Sequence, residues 1–368
     1  MNILYLTTHL NIGGISSYVL SLAKGMQGRG HNVCVASSVG ELVERLNEEG
    51  IAFLPIPIKT KSEANLFKIL SSFFKSLKYM KEKDIDIVHS NTRVTAVLGC
   101  LLERFSRKPH ISTCHGFFRP RFFRRAFPCW GRSVIAISPA VKEHLVDDFH
   151  LSEQDIKVIP NGIEPARFKD YASGFKAEAK KELGLGFGPV VGIVARLSDV
   201  KGHIYLIEAM KSVLGEVASA QLLIVGDGKI REELRGLVRS LGIEESVFFM
   251  SSVADTARVL AIMDLFVLPS LKEGLGLSLM EAMASGLAVV GSDVGGIRSL
   301  IKHGYNGLLV QPADSQGLSL AVLELLKDKE KAKTLGDNAR LFINNNFTQE
   351  KMVLETERVY LECVNTNY

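Results

Sequence analysis

Two glutamates, Glu273 and Glu281, frame a glycine-rich turn that reads Glu273-Gly274-Leu275-Gly276-Leu277. The run from Leu265 to Pro269 before it is wholly apolar and predicts a buried strand. The run LMEAMAS after it predicts a helix, with Ser278 as its cap and Gly286 at its end. A strand, turn and helix in that order leave unpaired backbone N–H groups at the helix start, where the dipole favours an anion such as phosphate. A carboxylate accepts hydrogen bonds from neighbouring hydroxyls, so two of them can hold two different sugars. The same pattern taken alone fits a capped helix with two surface glutamates.

Four further clusters bear on that choice. In VVGIVARLSDVKGH, Arg196 and Lys201 follow a predicted strand. A planar guanidinium and a mobile ammonium at that place suit a pyrophosphate, although an isolated pair of this kind is more often ordinary surface charge. In His9-Leu10-Asn11-Ile12-Gly13-Gly14-Ile15, Gly13 and Gly14 open a helix and let backbone approach a ligand. This is not GxGxxG, so a dinucleotide site and a NAD-dependent oxidoreductase are poorly supported. His115 stands in Thr113-Cys114-His115-Gly116 at a strand's carboxyl end. Gly226 and Gly228 flank Asp227 after the strand LLIV, and the segment SVFFMSSVAD follows further on.

In this order, the motifs resemble the retaining glycosyltransferases of family 4, which have the GT-B fold. The family signature is a pair of glutamates separated by seven residues around an EGFG-like turn, matched here by Glu273 and Glu281 with Leu275 where Phe is common. The resemblance implies that Glu273 contacts the donor sugar and Glu281 the ribose hydroxyls, with backbone N–H groups of Gly274 to Leu277 on sugar and phosphate. Arg196, Lys201 and Gly202 match the RL…KG motif that neutralises the leaving diphosphate. By the same resemblance Gly13 and Gly14 face the diphosphate, and His115 lies near the reacting sugar. Gly226 and Gly228 lie beside the nucleotide, and Ser252 and Val253 border its base. Ser251-Ser252 replaces a usual glycine, which leaves the base open, so the donor is a UDP-sugar or a GDP-sugar. Ser138-Pro139 matches an acceptor-side motif, and Pro160 to Ile163 one that leads toward the hinge. The matches run from Gly13 to Asp314 and are densest from Val190 to Val310. The implied reaction retains the anomeric configuration. Whether it proceeds by double displacement or by a front-face path stays open, and no residue is an obvious nucleophile in the place a double displacement would need.

Residues of these kinds must be carried by a scaffold that puts strand ends together. Apolar strand-like runs alternate with helical patterns through the chain, which predicts an α/β fold with largely parallel sheets. The alternation restarts at PVVGIVARL after a polar stretch from Arg167 to Pro189. The expected architecture is two Rossmann-like doubly wound domains with a deep cleft between them. By the same resemblance, residues 1–168 are expected to form the N-terminal, acceptor-binding domain and 169–347 the C-terminal, donor-binding domain, with 348–368 crossing back to the first. Asp84-Ile85-Asp86 has DxD spacing but reads as a polar strand start with both carboxylates on one face. No metal site and no cofactor are expected; fixed cations and helix N-termini can do a metal's work.

At 368 residues the chain suits two domains, each able to bury a core. Five scattered cysteines without a CxxC pair argue against a disulfide framework or zinc site and for a reducing compartment. No signal peptide and no apolar run of spanning length is read, which suggests a cytoplasmic protein, soluble or peripheral on the inner membrane face. The net charge of +4 is uneven: residues 59–132 hold 16 Lys+Arg against 5 Asp+Glu. An anionic partner and a solvated surface explain this equally well. RPRFFRRAF mixes basic and aromatic residues and suits an anionic membrane surface as well as it suits water. In NLFKILSSFFKSLKYMKEK, apolar residues at 66, 69, 70, 73, 74, 77 and 80 form a helical stripe expected to pack on its own sheet. No nucleic-acid motif accompanies the charge.

The sequence therefore points to transfer of a hexose-type sugar from a nucleotide-sugar to a glycan or lipid-linked acceptor, as in polysaccharide or lipopolysaccharide synthesis. The alternatives are a nucleotide-sugar epimerase of the same fold and a non-catalytic subunit that binds a nucleotide sugar or glycolipid.

Overall fold

The computed structural model describes residues 1–60, 65–168 and 174–365. The chain divides into two compact units, Met1–Gly162 with Gln349–Tyr368, and Ile163–Thr348. Of the expected boundary between residues 168 and 169, the positions 169–173 lie outside the described residues, as do 366–368 of the returning segment.

The first unit holds strands β1 (Asn2–His9), β2 (Asn32–Ser38), β3 (Ala52–Pro55), β4 (Ile87–Ser90), β5 (His110–Cys114), β6 (Ser133–Ala136) and β7 (Ile156–Val158). They form one sheet in the order β3-β2-β1-β4-β5-β6-β7, with every pairing parallel. The second unit holds β8 (Val190–Val194), β9 (Gln221–Val225), β10 (Val247–Met250), β11 (Leu265–Leu268), β12 (Ala288–Ser292) and β13 (Leu308–Val310). Their order is β10-β9-β8-β11-β12-β13, again all parallel.

These strands read as continuous apolar runs because helices cover both faces. In β1, Ile3 and Tyr5 enter one core while Leu4 and Leu6 enter the other. In each unit the chain winds outward on one side of the first strand, then returns to its other side. The loops after β1 and β4 therefore part at a switch point, as do those after β8 and β11. Open parallel sheets bind ligands at such points, at the carboxyl ends of strands.

The helix Gln349–Asn365 belongs to the first unit although it is last in sequence. Its Met352, Val353, Val359 and Tyr360 share a core with Tyr18, Val19, Leu22 and Met26 of the helix Gly14–Gly28. The two helices cross closely: a Cβ on Gly25 would lie 2.3 Å from Val353 Cγ2.

Two local expectations are corrected. Asp84-Ile85-Asp86 is not a strand start, since β4 begins at Ile87 and Asp84 takes a left-handed φ of 44°. The segment reverses the chain after a helix and docks on β1, with the Asn2 N–H donating to Asp86 Oδ2 at 2.7 Å. The stripe on the helix Leu66–Glu82 does not pack down as a whole. Ile69, Phe73 and Met80 are buried, whereas Leu70 and Phe74 are 49 % and 66 % exposed, and Phe67 off the stripe is 84 % exposed. Neighbouring positions on a helix differ by about 100° in direction, so adjacent apolar pairs make the stripe wider than its contact with the sheet. The side chains of Leu66 in this stripe and of Phe123 in the basic segment lie outside the described residues.

Candidate active site

The loops after β8 and β11 bring together two of the residues singled out in sequence. Gly202, with φ of 69°, lets the first loop rest on the second: a Cβ there would meet the Pro269 carbonyl oxygen at 1.9 Å. The Leu271 N–H donates to the Val200 carbonyl at 2.9 Å and ties the loops together. Lys201 at the end of the 3-10 turn Asp199–Lys201 then reaches Glu273, Nζ to Oε2 at 2.5 Å. Ser270 Oγ donates to the same oxygen at 3.2 Å. The two side chains are 20 % and 12 % exposed, so the pair is accessible but largely shielded. Residues expected on different parts of one ligand are thus paired with each other. Arg196 lies exposed on the same loop, and its guanidinium has no partner among the described residues.

Beyond Glu273 the turn leads into the helix Leu277–Ala284. Its N-cap is Gly276, at φ of 100°, with no side-chain hydrogen bond; Ser278 sits inside the first turn and is not the cap. The reason is geometric: only glycine adopts this left-handed entry at low cost, and it places the helix start two residues earlier. The first N–H groups are therefore left without a side-chain acceptor, as an anion site requires. Leu275 is 2 % exposed, so its side chain serves the core. At the other end Gly286, at φ of 76°, closes the helix, with Leu287 N–H bonded to the Ala282 carbonyl at 3.2 Å.

Behind the turn stands Gly296, which sequence reading missed. Its N–H donates to the Glu273 carbonyl at 2.9 Å. A Cβ on it would lie 2.2 Å from the Gly274 carbonyl oxygen and 2.4 Å from Leu275 Cα. The local signal was the pair Gly295-Gly296 just after β12.

Glu281 is placed differently from Glu273. It is buried on the helix, and Thr256 Oγ1 donates to its Oε2 at 3.0 Å. Burial pushes its carboxyl up to about 7, against the lowering effects of the Thr256 hydrogen bond and the Arg167 charge, while Asp255 adds to the rise. Arg167 and Asp255 are themselves paired at 3.4 Å. No sequence motif marked Thr256, Asp255 or Arg167.

Gly226 and Gly228 pack on the loop after β8, where Cβ atoms would meet the carbonyl oxygens of Ala195 and Leu197 at 2.0 and 1.9 Å. Between them Asp227 accepts from the Ser252 N–H at 2.8 Å, which fixes the segment carrying Ser252 and Val253. Arg231, also unmarked in sequence, straps this corner by donating to the Gly226 carbonyl at 2.7 Å and to Asp227 Oδ1 at 3.0 Å. Hydrogen bonds from Ser252 hold Asp227 below the usual carboxylate range.

In the first unit Gly13 and Gly14 begin the helix Gly14–Gly28, exposed, with no side-chain cap and no acidic residue in the first turn. A Cβ on either would meet nothing within 4 Å. Gly13 is in extended backbone, so its value there is free space, not conformational freedom. His115 follows β5. Its ring lies edge-on to Tyr18, centroids 4.6 Å apart, and burial pushes its pKa down to about 3. Ser138 caps the helix Pro139–Phe149 by accepting from the Val141 N–H at 3.3 Å. Among the described residues no group of three His, Cys, Asp or Glu side chains is placed to hold a metal ion.

Comparisons with known proteins bear on the family and the fold. Residues 12–167 match the profile of Glycosyltransferase Family 4, and residues 175–342 match that of Glycosyl transferases group 1. The chain is 28 % identical over 376 residues to N-acetyl-alpha-D-glucosaminyl L-malate synthase of Bacillus anthracis, covering 98 % of this chain and 96 % of that protein. It is 27 % identical over 348 residues to the UDP-Gal:alpha-D-GlcNAc-diphosphoundecaprenol alpha-1,3-galactosyltransferase of Escherichia coli, covering 90 % and 88 %. In fold it is similar to Anabaena HepE, solved in complex with UDP and glucose, with a TM-score of 0.89 at 24 % identity over 98 % of this chain and 100 % of that one. Motifs, sheets and matches converge: the chain belongs to glycosyltransferase family 4 and has the two Rossmann-like α/β domains of the GT-B fold.

Proposed function

We propose that this glycosyltransferase moves a hexose-type sugar, with retention of configuration and without a metal ion, from a UDP- or GDP-sugar to a glycan or lipid-linked acceptor. The observation that carries the reading is the Lys201–Glu273 pair at the switch point of the second sheet, beside a helix start without a side-chain cap. A cation, a carboxylate and the N–H groups of a helix start in one turn match a diphosphate joined to a polyhydroxyl ring. The E. coli relative named for UDP-Gal and the UDP- and glucose-bound Anabaena structure support the same donor class.

In this mechanism the donor's diphosphate draws Lys201 away from Glu273, and Arg196 adds a second charge. Glu273 then accepts hydrogen bonds from a sugar hydroxyl. As the bond from the anomeric carbon to the diphosphate breaks, negative charge grows on the leaving oxygen. Lys201, Arg196 and the N–H groups at Gly274 to Leu277 stabilise it in place, without a Lewis acid. An acceptor hydroxyl forms the new bond to the anomeric carbon and passes its proton to the departing diphosphate oxygen. Glu281 holds the ribose, Gly226, Gly228, Ser252 and Val253 border the nucleotide, and Gly13, Gly14 and His115 of the first unit take part in the same reaction.

A panel of UDP- and GDP-hexoses with lipid and glycan acceptors, run in chelator and scored by nucleotide release and product mass, tests the reading. NMR of the product's anomeric centre tests retention. No turnover with any donor would overturn the enzyme, and an inverted product would overturn the stereochemistry. A lipid-linked acceptor fits a protein working at the inner membrane face. The exposed Phe67, Leu70 and Phe74 among Lys68, Lys75 and Lys78 favour contact with an anionic lipid surface.

A further inference from the structure

His115 is held by buried groups that the reaction described above does not use. Its Nε2 lies 3.4 Å from Asn91 Oδ1, where Asn91 follows β4 and is 1 % exposed. The orientation of Asn91 is decided by its other end. Its Nδ2 donates to the carbonyls of His89 at 3.3 Å and Leu6 at 3.5 Å. A flipped amide would turn its oxygen onto two carbonyl oxygens, so Oδ1 faces His115. That oxygen can only accept, so the ring hydrogen of His115 is on Nε2 and Nδ1 keeps its lone pair.

Tyr18, the other neighbour of the ring, is also fixed. Its hydroxyl lies 3.2 Å from Thr113 Oγ1, which lies 2.7 Å from His89 Nε2. His89 Nδ1 lies 2.7 Å from the Tyr360 hydroxyl, which donates to the Tyr5 hydroxyl at 2.9 Å. Tyr360 has spent its hydrogen, so it accepts from Nδ1–H of His89. His89 Nε2 then accepts from Thr113, and Thr113 from Tyr18. Donation runs one way from Tyr18 to Tyr5, which a neutral His89 permits, and burial keeps His89 neutral. Among the described residues, Tyr18, His89 and the adjoining Cys114 are titratable groups beside His115. Burial raises the Tyr18 phenol well above its usual value and pushes the Cys114 thiol up to about 12. None of them offers His115 a charge near neutral pH.

We propose that Asn91 is a positioning residue that locks His115 in its Nε2–H tautomer, so that Nδ1 is presented as a hydrogen-bond acceptor for a substrate hydroxyl. This rests on the reading that His115 meets the sugar undergoing transfer. It makes His115 a neutral acceptor, neither a cation nor a proton donor to the leaving group.

The test is imidazole NMR of the full chain labelled with 15N-histidine, with His115→Gln used to assign the signal. The expected spectrum shows His115 protonated at Nε2, bare at Nδ1 and neutral down to about pH 4. Asn91→Ala should give mixed tautomers and lower kcat about fivefold to tenfold, with the donor KM changed less than about twofold. A wild-type spectrum with hydrogen on Nδ1 overturns the proposal, whether or not the variant folds. So does an Asn91→Ala enzyme with a single Nε2–H signal and wild-type kcat. If His115→Gln keeps full turnover, the underlying reading of His115 fails. If His115→Gln is crippled while wild type shows Nδ1–H, only the tautomer assignment fails.

Discussion

Lys201 carries a charge that two partners can claim. Glu273 holds it at 2.5 Å, and a diphosphate would have to displace that carboxylate. Lys201→Ala removes the point charge from the leaving group and should lower kcat about a hundredfold, measured as nucleotide release; near wild-type turnover would sink the assignment. Glu281 makes a different prediction. Its carboxyl is pushed from 4.5 up to about 7, so between those values the folded chain keeps a proton that the unfolded chain has released. Stability therefore falls as pH rises through that window and levels off above it, where the penalty reaches roughly 3 kcal/mol. Glu281→Gln stays neutral and removes that slope, so melting curves at pH 5 and pH 8 should show the variant gaining on wild type at the higher pH. Parallel pH dependence in the two proteins would refute it. Lys201, Glu273 and His115 could be picked out from sequence because each stands in a short motif at a strand end. Thr256 and Asn91 could not, since each acts on a residue 24 or 25 positions away; Arg231 stands only 4 and 5 positions from Asp227 and Gly226 but belongs to no motif that marks it.

At the scale of elements, three loops build the turn around Glu273. The loop after β8 brings Lys201, the loop after β11 brings Glu273, and the loop after β12 backs them with Gly296. Gly296→Ala would drive a methyl group into the backbone at Gly274 and Leu275. It should cost about 1–3 kcal/mol in stability through overpacking and should weaken donor binding more than a surface Gly→Ala does. Titration calorimetry with the nucleoside diphosphate and a thermal melt would read both effects. Unchanged affinity and melting temperature would show that the loop yields freely. The strands were legible in the sequence, since continuous apolar runs between helical patterns leave few alternatives. Helix ends were less so. Ser278 has the side chain of a cap, yet Gly276 takes that position because the turn needs a left-handed residue. On the helix Leu66–Glu82 the apolar period was right, but it does not say how much of the stripe the sheet can cover.

On the scale of the whole molecule, charge and exposed aromatics gather in the first unit. Arg124 and Arg125 stand beside the exposed Phe122 and Phe127. Co-sedimentation with anionic liposomes should weaken severalfold on replacing both arginines with Ala, and neutral liposomes should bind less than anionic ones. Equal binding to neutral lipid would defeat the electrostatic account. Among the described residues no helix is long and apolar enough to cross a membrane. By itself the sequence determined the α/β class, the two series of strands, and the motif residues at strand ends, because these depend on local periodicity and short spacing. Tertiary structure alone decided that Lys201 and Glu273 pair, that Glu281 is buried against Thr256, and that Tyr360 of the last helix joins a hydrogen-bond chain to Tyr18. Those facts depend on strand order and on the packing of segments up to hundreds of residues apart, which no local pattern encodes.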